Sequence, residues 1–413
     1  MTKSEIIAGL DIGSGRVTCL IGAPEPDSER MLILGGASLA CSGLSGGVVV
    51  SIPETKSAIE HVVEAAEAAA GVTVNSLFLG VRGAHLKSFN NHGAFNIART
   101  DREITPDDVQ GVIANATAIP ISNDREILHV VPQSFSLDGQ RGVPNPVGME
   151  GSLLEVDVHI VTVASAHINN IMKAVTQAGF EVVDIIYGLL ATGEQLVTSE
   201  EKKLGALLVD LGGQTVSIGV YSKGSIRYSK EIPIGADFIT NDLAVGLHTS
   251  ETTAERLKIA HGVAHASVRG EDEDIEFARL DGRTMDKAKT STMMNYILPR
   301  VEDIFNIIGE DLQNSTSEDL VSPGGLILTG GGSLMKGMAA AAEDMLDLQT
   351  RLGLAHPDLV SGDEKWFSPV YATAMGLMTF AHSSRWGTGV SRLAPRRRPP
   401  WLRRLIAWFE GLI

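Results

Sequence analysis

Cysteine is scarce, with only Cys19 and Cys41 in 413 residues. Two cysteines cannot supply a disulfide framework, and the apolar run around Cys19 predicts a buried thiol in a reducing compartment. The first residues, MTKSEIIAGLDIG, also lack the basic and then apolar pattern of an export signal. No run reaches the roughly 18 consecutive apolar residues that span a bilayer. These absences predict a cytoplasmic protein that is neither secreted nor integral to a membrane.

Positive charge is scarce outside the C-terminal segment. The formal net charge is −16, and residues 392–413, with six arginines and one glutamate, carry +5 of it, so the remainder carries −21. A body this acidic excludes nucleic acid as the main partner and confines any attraction to phosphate-rich surfaces to that segment. Because 413 residues exceed the roughly 250–300 at which a single core stops growing, we expect at least two domains.

Two segments share one pattern, residues 7–22 (IAGLDIGSGRVTCLIG) and 206–221 (ALLVDLGGQTVSIGVY). Each has an apolar run, an aspartate (Asp11 or Asp210), a glycine two residues later, and alternating apolar residues that predict a returning strand. The glycine-rich turn of such a hairpin exposes backbone N–H groups that suit phosphate oxygens. The aspartate can then face, usually through water, a Mg²⁺ ion that bridges those phosphates. One such hairpin could be a plain tight turn, but two equivalent copies favour a phosphate site.

A third glycine-rich turn follows an apolar strand in GGLILTGGGSLMKGMAAAAEDML, residues 324–346. We expect a helix to begin near Ser333, so that Gly330, Gly331 and Gly332 front a helix N-terminus able to receive part of a nucleotide. A Rossmann turn is excluded because RVTCLIG alternates like a strand where that motif needs a helix. The chain also has no G-x-x-x-x-G-K-[ST] motif, which excludes a P-loop.

The three turns together resemble those of the actin-like superfamily. The resemblance implies an α/β fold of two ribonuclease-H-like halves around a nucleotide cleft, with connecting helices at 187–197 (YGLLATGEQLV) and 371–380 (YATAMGLMTF). Within the superfamily the chain is similar to the FtsA family of bacterial cell division proteins over nearly its whole length. That similarity rests on an insertion containing ILHVVPQSFSLDG and NPVGMEGSLLEVDVHIVTV, and on TTAERLKIAHG and YILPRVEDIFNII.

The FtsA resemblance implies a division into named subdomains. These are subdomain 1A at 1–84, 166–195 and 366–385, the inserted α+β subdomain 1C at 85–165, subdomain 2A at 196–231 and 308–365, subdomain 2B at 232–307, a flexible linker at 386–400 and a membrane-targeting amphipathic helix at 401–413.

Local patterns support the insertion. Thr105 and Asp108 can form a capping box around Pro106. In LLEVDVHIVTV, an apolar face alternates with a polar face of Glu155, Asp157 and His159. Nothing in this segment indicates catalysis, which favours an interaction module.

The resemblance implies ATP and Mg²⁺ as ligands. Asp11 and Asp210 would face the metal, and Glu255 and Lys258, three residues apart on one helix face, would face the adenine and ribose; the alternative for this pair is a surface ion pair. The expected nucleotide contacts are Asp11, Gly13, Ser14, Gly15, Arg16, Asp210, Gly212, Gly213, Gln214, Thr215, Gly235, Glu255, Lys258, Gly330, Gly331, Gly332 and Ser333.

Two departures from the family pattern bear on catalysis. Gln214 stands where the family more usually has a third glycine, so its side chain either crowds the γ-phosphate or adds a hydrogen bond. The first connecting helix begins Gly188-Leu189-Leu190, where several actin-like ATPases carry Glu or Gln to orient the attacking water. Phosphoryl transfer depends on such positioning. We therefore expect ATP binding with slow or negligible hydrolysis, and no catalytic residue, with ATP favouring self-association.

The FtsA resemblance implies that subdomain 2B binds the C-terminal tail of FtsZ, the tubulin-like division protein. Such tails are acidic with apolar anchors, so basic residues beside an apolar helix face are expected. Arg300, Asp303 and Lys289, with Lys287 upstream, are the candidate contacts, and the alternative is an ordinary charged surface helix.

The last 13 residues predict an amphipathic helix. At about 100° per residue, the apolar residues fall in one arc of roughly 160°, opposite Arg403 and Arg404. An apolar face with a basic opposite side fits a helix lying in an anionic membrane interface, whereas the alternative is docking on protein. The expected membrane contacts are Trp401, Leu402, Arg403, Arg404, Leu405, Ile406, Trp408, Phe409 and Leu412.

Taken together, the sequence predicts an ATP-binding, polymerising protein that anchors the FtsZ ring to the cytoplasmic face of the inner membrane at the division septum and recruits later division proteins. The rival is a sugar-kinase-like phosphotransferase, which needs a catalytic aspartate in the cleft and has no use for an amphipathic tail. An Hsp70-like chaperone is disfavoured by the missing substrate-binding β-domain, and an MreB-like filament by the insertion and the tail.

Overall fold

The computed structural model describes residues 6–386, except 27, 29 and 316–323, and describes side chains as far as residue 382. The predicted linker beyond residue 386 and the predicted amphipathic helix lie outside the described residues.

The strands are β1 (Ile7–Ile12), β2 (Arg16–Pro24), β3 (Met31–Ala40), β4 (Leu44–Ser45), β5 (Val48–Val49), β6 (Ser76–Val81), β7 (Leu86–Asn96), β8 (Arg125–Leu137), β9 (Gln140–Val143), β10 (Leu153–Ala164), β11 (Glu181–Tyr187), β12 (Ala206–Leu211), β13 (Val216–Ser222), β14 (Ser225–Ile232), β15 (Asp274–Ala278), β16 (Met285–Lys289), β17 (Leu326–Thr329), β18 (Thr350–Leu352) and β19 (Val360–Ser361). The helices are α1 (Ile52–Ala70), α2 (Pro106–Thr117), α3 (Ser165–Gln177), α4 (Gly188–Leu196), α5 (Ser199–Leu204), α6 (Ala236–Gly246), α7 (Glu251–His261), α8 (Thr290–Asn314), α9 (Met338–Leu346) and α10 (Ala372–Trp386).

Two mixed sheets repeat one topology. The first has the order β11-β6-β1-β2-β3-β19 and the second β14-β13-β12-β17-β18. In each sheet, three strands that follow one another along the chain pair antiparallel, β1-β2-β3 in the first and β12-β13-β14 in the second. Two further strands then pair in parallel beside β1 or β12. The two predicted hairpins also share one register, because Asp11 pairs with Thr18 and Asp210 with Ser217. The predicted pair of ribonuclease-H-like halves is confirmed, and equivalent strand ends bring the two aspartates to equivalent places.

The two connecting helices, α4 and α10, pack closely between the halves. A Cβ added at Gly376 of α10 would lie 2.0 Å from the carbonyl oxygen of Ala191 on α4, so only glycine permits this approach. The hydrophobic cores lie on either side, around Leu10 and Leu79 in the first half and around Val209 and Ile304 in the second. No described helix is long and apolar enough to cross a membrane.

The insertion folds as a four-stranded antiparallel sheet, β7-β10-β8-β9, with α2 packed on it. The predicted capping box is present, with Asp108 N–H donating to Thr105 Oγ1 and the Asp108 carboxylate accepting from Thr105 N–H at 2.8 Å. The apolar face of β10 is buried as predicted, at Leu154, Val156, Val158 and Ile160. His159, on the opposite face, is also buried because the edge strand β14 of the second half lies against it.

The third glycine turn differs from its prediction. No α-helix begins near Ser333; a 3-10 turn covers Gly331–Leu334, and α9 begins only at Met338. Gly337, with φ of 84°, adopts a left-handed conformation that separates the 3-10 turn from the α-helix. The expectation of a helix N-terminus directly behind the three glycines was therefore wrong.

Candidate functional site

The two phosphate-type turns face each other where the halves meet. Gly13 and Gly212 each donate a 3.0 Å backbone hydrogen bond to the start of the returning strand, so the turns have the same shape. The backbone N–H of Gln214 then donates to Ser14 Oγ at 3.0 Å, across 200 residues of sequence. Two predicted phosphate ligands are thus brought into direct contact.

The Gln214 side chain crosses to the first half. Its Oε1 accepts a 2.7 Å hydrogen bond from Gly46 N–H and a 3.4 Å bond from Ser45 Oγ, both in the β4–β5 hairpin. These bonds join two parts of the protein, so both expectations for Gln214 at the γ-phosphate stay predictions. Gln214 therefore ties the second phosphate turn to the first half.

The third turn and the start of α6 lie against the second phosphate turn. A Cβ added at Gly330, where φ is 84°, would lie 2.4 Å from Asp210 Oδ1, and one added at Gly235 would lie 2.4 Å from the carbonyl oxygen of Gly213. Both glycines allow contacts that any side chain would block. All three predicted nucleotide turns converge around Asp210.

Glu255 and Lys258 occupy one face of α7, as their spacing predicts. Lys258 Nζ lies 2.6 Å from Glu255 Oε2 and donates to the Ala236 carbonyl at 3.1 Å and to Thr240 Oγ1 at 2.7 Å. The lysine side chain is buried, unlike that of a solvated surface pair. It anchors α7 to the N-terminal turn of α6, beside the second phosphate turn.

The centre of the cleft holds a residue that the sequence patterns did not indicate. Arg82 follows β6, and its Nη2 donates to Asp210 Oδ2 at 2.7 Å, while its Nε lies 3.5 Å from Asp11 Oδ1. A further 3.3 Å hydrogen bond runs from Nη2 to Thr192 Oγ1 on α4. One buried guanidinium therefore joins the two aspartates of the duplicated motif.

Burial dominates the electrostatics of this cluster. It raises the pKa of Asp11 to about 6, against the attraction of Arg82. It likewise raises the pKa of Glu231 to about 7, again opposed by Arg82. Glu231 Oε2 accepts a 3.3 Å hydrogen bond from Gly83 N–H, the residue after the arginine. The positive charge of Arg82 partly offsets the free-energy cost of burying these carboxylates.

The start of α4 carries no polar side chain. Its first three residues are Gly188, Leu189 and Leu190, and all three are buried. A Cβ at Gly188 would lie 2.9 Å from both Cγ and Nε of Arg82. The space that a water-orienting side chain would use is therefore filled by the arginine. A guanidinium is always protonated and cannot accept a proton from water.

A Mg²⁺ ion bound directly to both Asp11 and Asp210 does not fit this arrangement, whereas the predicted contact through water stays a prediction. Magnesium needs oxygen ligands at about 2.0–2.1 Å in octahedral geometry, but Arg82 already donates to Asp210 Oδ2 and lies against Asp11 Oδ1. Within the described residues no group of three or more His, Cys, Asp or Glu side chains is placed to hold a metal.

The residues predicted to bind FtsZ are separated in subdomain 2B. Arg300 makes a two-pronged contact with Asp242 on α6 (2.7 and 3.3 Å) and a 3.3 Å contact with Asp303. Lys289, by contrast, is exposed and lines a cavity of about 320 Å³ with Lys287, Phe277 and Tyr296. Lys289 faces a groove and its Nζ lies 3.9 Å from Asp272 Oδ2. Arg300 is held more closely, by Asp242 on α6 and by Asp303 on its own helix.

Comparison with known proteins places the chain among cell division proteins. Residues 83–162 match the family described as the SHS2 domain inserted in FTSA, and residues 207–376 match the family described as cell division protein FtsA. The chain is 35% identical to cell division protein FtsA of Pseudomonas aeruginosa, over 99% of this chain and 98% of that one. It is 30% identical to FtsA of Escherichia coli K12 over the same shares.

Solved structures share the fold at low sequence identity. The PilM–PilN type IV pilus biogenesis complex matches with a TM-score of 0.66 at 15% identity, covering 91% of this chain and 98% of that one. MreB 5 of Spiroplasma citri bound to AMPPNP matches with 0.56 at 13%, covering 93% and 98%. The MamK double helical filament matches with 0.51 at 12%, covering 91% and 98%. The predicted actin-like fold with an inserted domain is confirmed.

Proposed function

Since the chain belongs to the FtsA family of cell division proteins, we propose that it binds ATP, polymerises and anchors the FtsZ ring to the membrane. The observation that carries the proposal is the meeting of two equivalent phosphate turns, through Ser14 and Gln214, beside a third glycine turn. Convergent backbone N–H groups of this kind suit the phosphates of a nucleotide. The nucleotide-bound MreB 5 neighbour shares the fold.

ATP would lie between the halves, with its phosphates at the two turns and its adenosine between Gly330 and α7. Hydrolysis would be slow or negligible because the start of α4 offers no group to orient water. The same cleft disfavours the sugar-kinase-like alternative, since Asp11 and Asp210 are engaged by Arg82 rather than free to act as a base. The Mg²⁺ expected at these two aspartates stays a prediction, and the position of Arg82 argues against it.

The FtsZ tail would bind at the groove between α6, the β15–β16 hairpin and α8. Lys287 and Lys289 on its edge are exposed, with Glu276 at 2.7 Å from the first and Asp272 at 3.9 Å from the second. Exposed pairs of this kind are weak, so an acidic peptide could take over both lysines. Val245 and Met285 are large apolar side chains exposed beside it, and they would receive apolar anchors of that peptide. Arg300 and Asp303 would act at one end of the same surface.

Self-assembly and membrane attachment complete the proposal. The MamK neighbour is a double helical filament, which supports polymerisation for a protein with this fold. Residues 401–413 would lie in the interface of the inner membrane at the septum, and polymer avidity would strengthen a weak single-chain attachment. Subdomain 1C would recruit later division proteins.

Co-sedimentation with anionic liposomes tests the anchor, comparing the full chain with a chain truncated after Ser391. We expect the full chain to pellet and the truncation to stay in solution. A matched control with Arg403 and Arg404 changed to Gln keeps the apolar face and should bind more weakly, with less salt dependence. If the full chain stays in solution with ATP and at low salt, the membrane anchor is overturned.

A further inference from the structure

The strand register fixes Arg82 at the junction of the two halves. Val81, the last residue of β6, pairs with Ile12 on one side and with Tyr187 on the other. The residue after Val81 therefore emerges between the first phosphate turn and Gly188, the first residue of α4. The Arg82 side chain is held there by a 2.7 Å hydrogen bond to Asp210 Oδ2.

The guanidinium of Arg82 supplies, at Asp11 and Asp210, the positive charge that a metal ion would otherwise supply. The carboxylates of Asp210, which is buried, and Asp11, which is largely buried, repel each other unless a cation lies between them, and Arg82 contacts both. An arginine stays protonated in proteins, so its charge is permanent. A divalent ion placed at the same carboxylates would meet this positive charge and would have to displace it.

Gly188 is suited to the close approach of the Arg82 side chain. Its missing side chain leaves room for Cγ and Nε of Arg82, each 2.9 Å from where a Cβ would lie. Asp11 Oδ1 and Arg82 Nε are both buried without a hydrogen-bond partner among the described residues, because their 3.5 Å separation is an ion-pair contact and not a hydrogen bond.

We propose that Arg82 is the resident cation of the phosphate site, and that this chain binds nucleotide without requiring a divalent metal. The inference rests on the nucleotide-binding function proposed above and names the residue that takes the role expected of Mg²⁺. Its guanidinium would hold Asp11 and Asp210 together and face the phosphates as a fixed donor, since guanidinium groups suit phosphate oxygens.

The test measures AMPPNP binding in EDTA and in Mg²⁺ for the wild type, Arg82→Gln and Arg82→Lys. The wild-type Kd should change less than about threefold between the two buffers, and that of Arg82→Gln should tighten at least about tenfold with Mg²⁺. Arg82→Lys keeps the charge but has a single nitrogen in place of the guanidinium, so its ratio should lie between those of the wild type and Arg82→Gln. Arg351→Gln, which removes an arginine paired with Glu201 in the second half, is the matched control and should leave the wild-type ratio unchanged.

A second measurement omits nucleotide. Mn²⁺ titration followed by electron paramagnetic resonance should detect binding to Arg82→Gln, where the two carboxylates are freed, and not to the wild type. Thermal unfolding and circular dichroism verify that each variant is folded. A wild type that binds AMPPNP only with Mg²⁺, or an Arg82→Gln protein with the wild-type ratio, overturns the inference alone. No binding by any form in either buffer overturns the nucleotide function together with it.

Discussion

The backbone N–H of Gln214 donates a 3.0 Å hydrogen bond to Ser14 Oγ, so the two phosphate turns are in direct contact. A γ-phosphate entering from the cleft would have to take over that N–H group, since one hydrogen cannot serve two strong acceptors equally well. The bond between Gly46 N–H and the side-chain oxygen Gln214 Oε1 uses a different donor and a different acceptor. Nucleotide binding would thus break one cross-cleft bond and leave the other.

The second of these bonds, from Gly46 N–H to Gln214 Oε1, can be removed by mutation. Gln214→Gly removes the acceptor of Gly46 N–H and keeps the backbone donor to Ser14. We expect the free energy of unfolding without nucleotide to fall by about 1–2 kcal/mol, from the lost hydrogen bond and the added backbone freedom. Urea unfolding measures this, and small-angle scattering should record a wider cleft. The control Ser45→Ala removes only the 3.4 Å bond and should stay near the wild type. Equal stability of the Gln214→Gly variant and the wild type would show that this bond does not hold the halves together.

The cap of α2 predicts a difference between two adjacent acids. Asp108 accepts from Thr105 N–H, and Arg99, its strongest partner, lowers the pKa of its carboxyl to about 2. Asp108→Ala should therefore destabilise the insertion by about 1–2 kcal/mol. Asp107→Ala removes a first-turn acid that takes no part in the box and should cost only a few tenths of a kcal/mol. Chemical denaturation of the full-length variants, followed by proteolysis mapping of the insertion, checks both values. A larger loss for Asp107→Ala would contradict the role of the cap.

Local patterns and long-range contacts differed in how far the sequence could predict them. The capping box at Thr105 and the hairpins at Asp11 and Asp210 depend on residues within one turn or one strand pair, so their spacing was sufficient. Arg82 was missed because its partners are distant along the chain, and only the register of β1, β6 and β11 brings them together. Its one sequence signal is a charged residue immediately after an apolar strand.

Two other differences have the same physical origin. The burial of His159 depends on the edge strand β14, which belongs to the other half of the molecule. The late start of α9 depends on the left-handed backbone of Gly337, and the helical pattern of the following residues conceals that break. A polar face on a strand predicts exposure only until another unit packs on it.

A charge reversal in subdomain 2B can separate the roles of Lys289 and Arg300. Lys289 is exposed on the groove, whereas Arg300 is held by Asp242. Lys289→Glu should therefore weaken binding of an FtsZ tail peptide by about tenfold, with an effect that falls as salt rises. Arg300→Ala should weaken binding less and lower the stability of the α6–α8 packing. Fluorescence anisotropy with a labelled peptide measures the affinities. Lys365→Glu is the charge control, because its neighbour Trp366 packs in a core cluster of the first half, with Ile7. A stronger loss for Arg300→Ala would place the peptide on α8 instead.

The contact between the insertion and the second half of the molecule should lose stability as the pH falls. His159 bonds to Asn90 Oδ1 at 2.7 Å and to Ser229 Oγ at 2.8 Å, and burial lowers the pKa of its imidazole to about 4. The unfolded chain, with an ordinary histidine pKa near 6.5, therefore binds more protons between pH 6.5 and 4. Stability must fall as the pH is lowered through that window, by up to about 3 kcal/mol for this residue.

Replacing this imidazole by an amide tests the assignment. His159→Gln retains a donor and an acceptor but does not titrate, so the slope of unfolding free energy against pH should flatten. His85, whose pKa burial also lowers to about 4, would account for a residual slope. The exposed His92 is the control, because the hydrogen bond that its imidazole donates to the Asp157 carboxylate raises its pKa. Its contribution has the opposite sign, present in acid and lost as the pH rises. Urea unfolding at pH 7 and pH 5 gives the comparison. An unchanged slope in His159→Gln would show that protonation of this histidine does not govern the docking of the insertion.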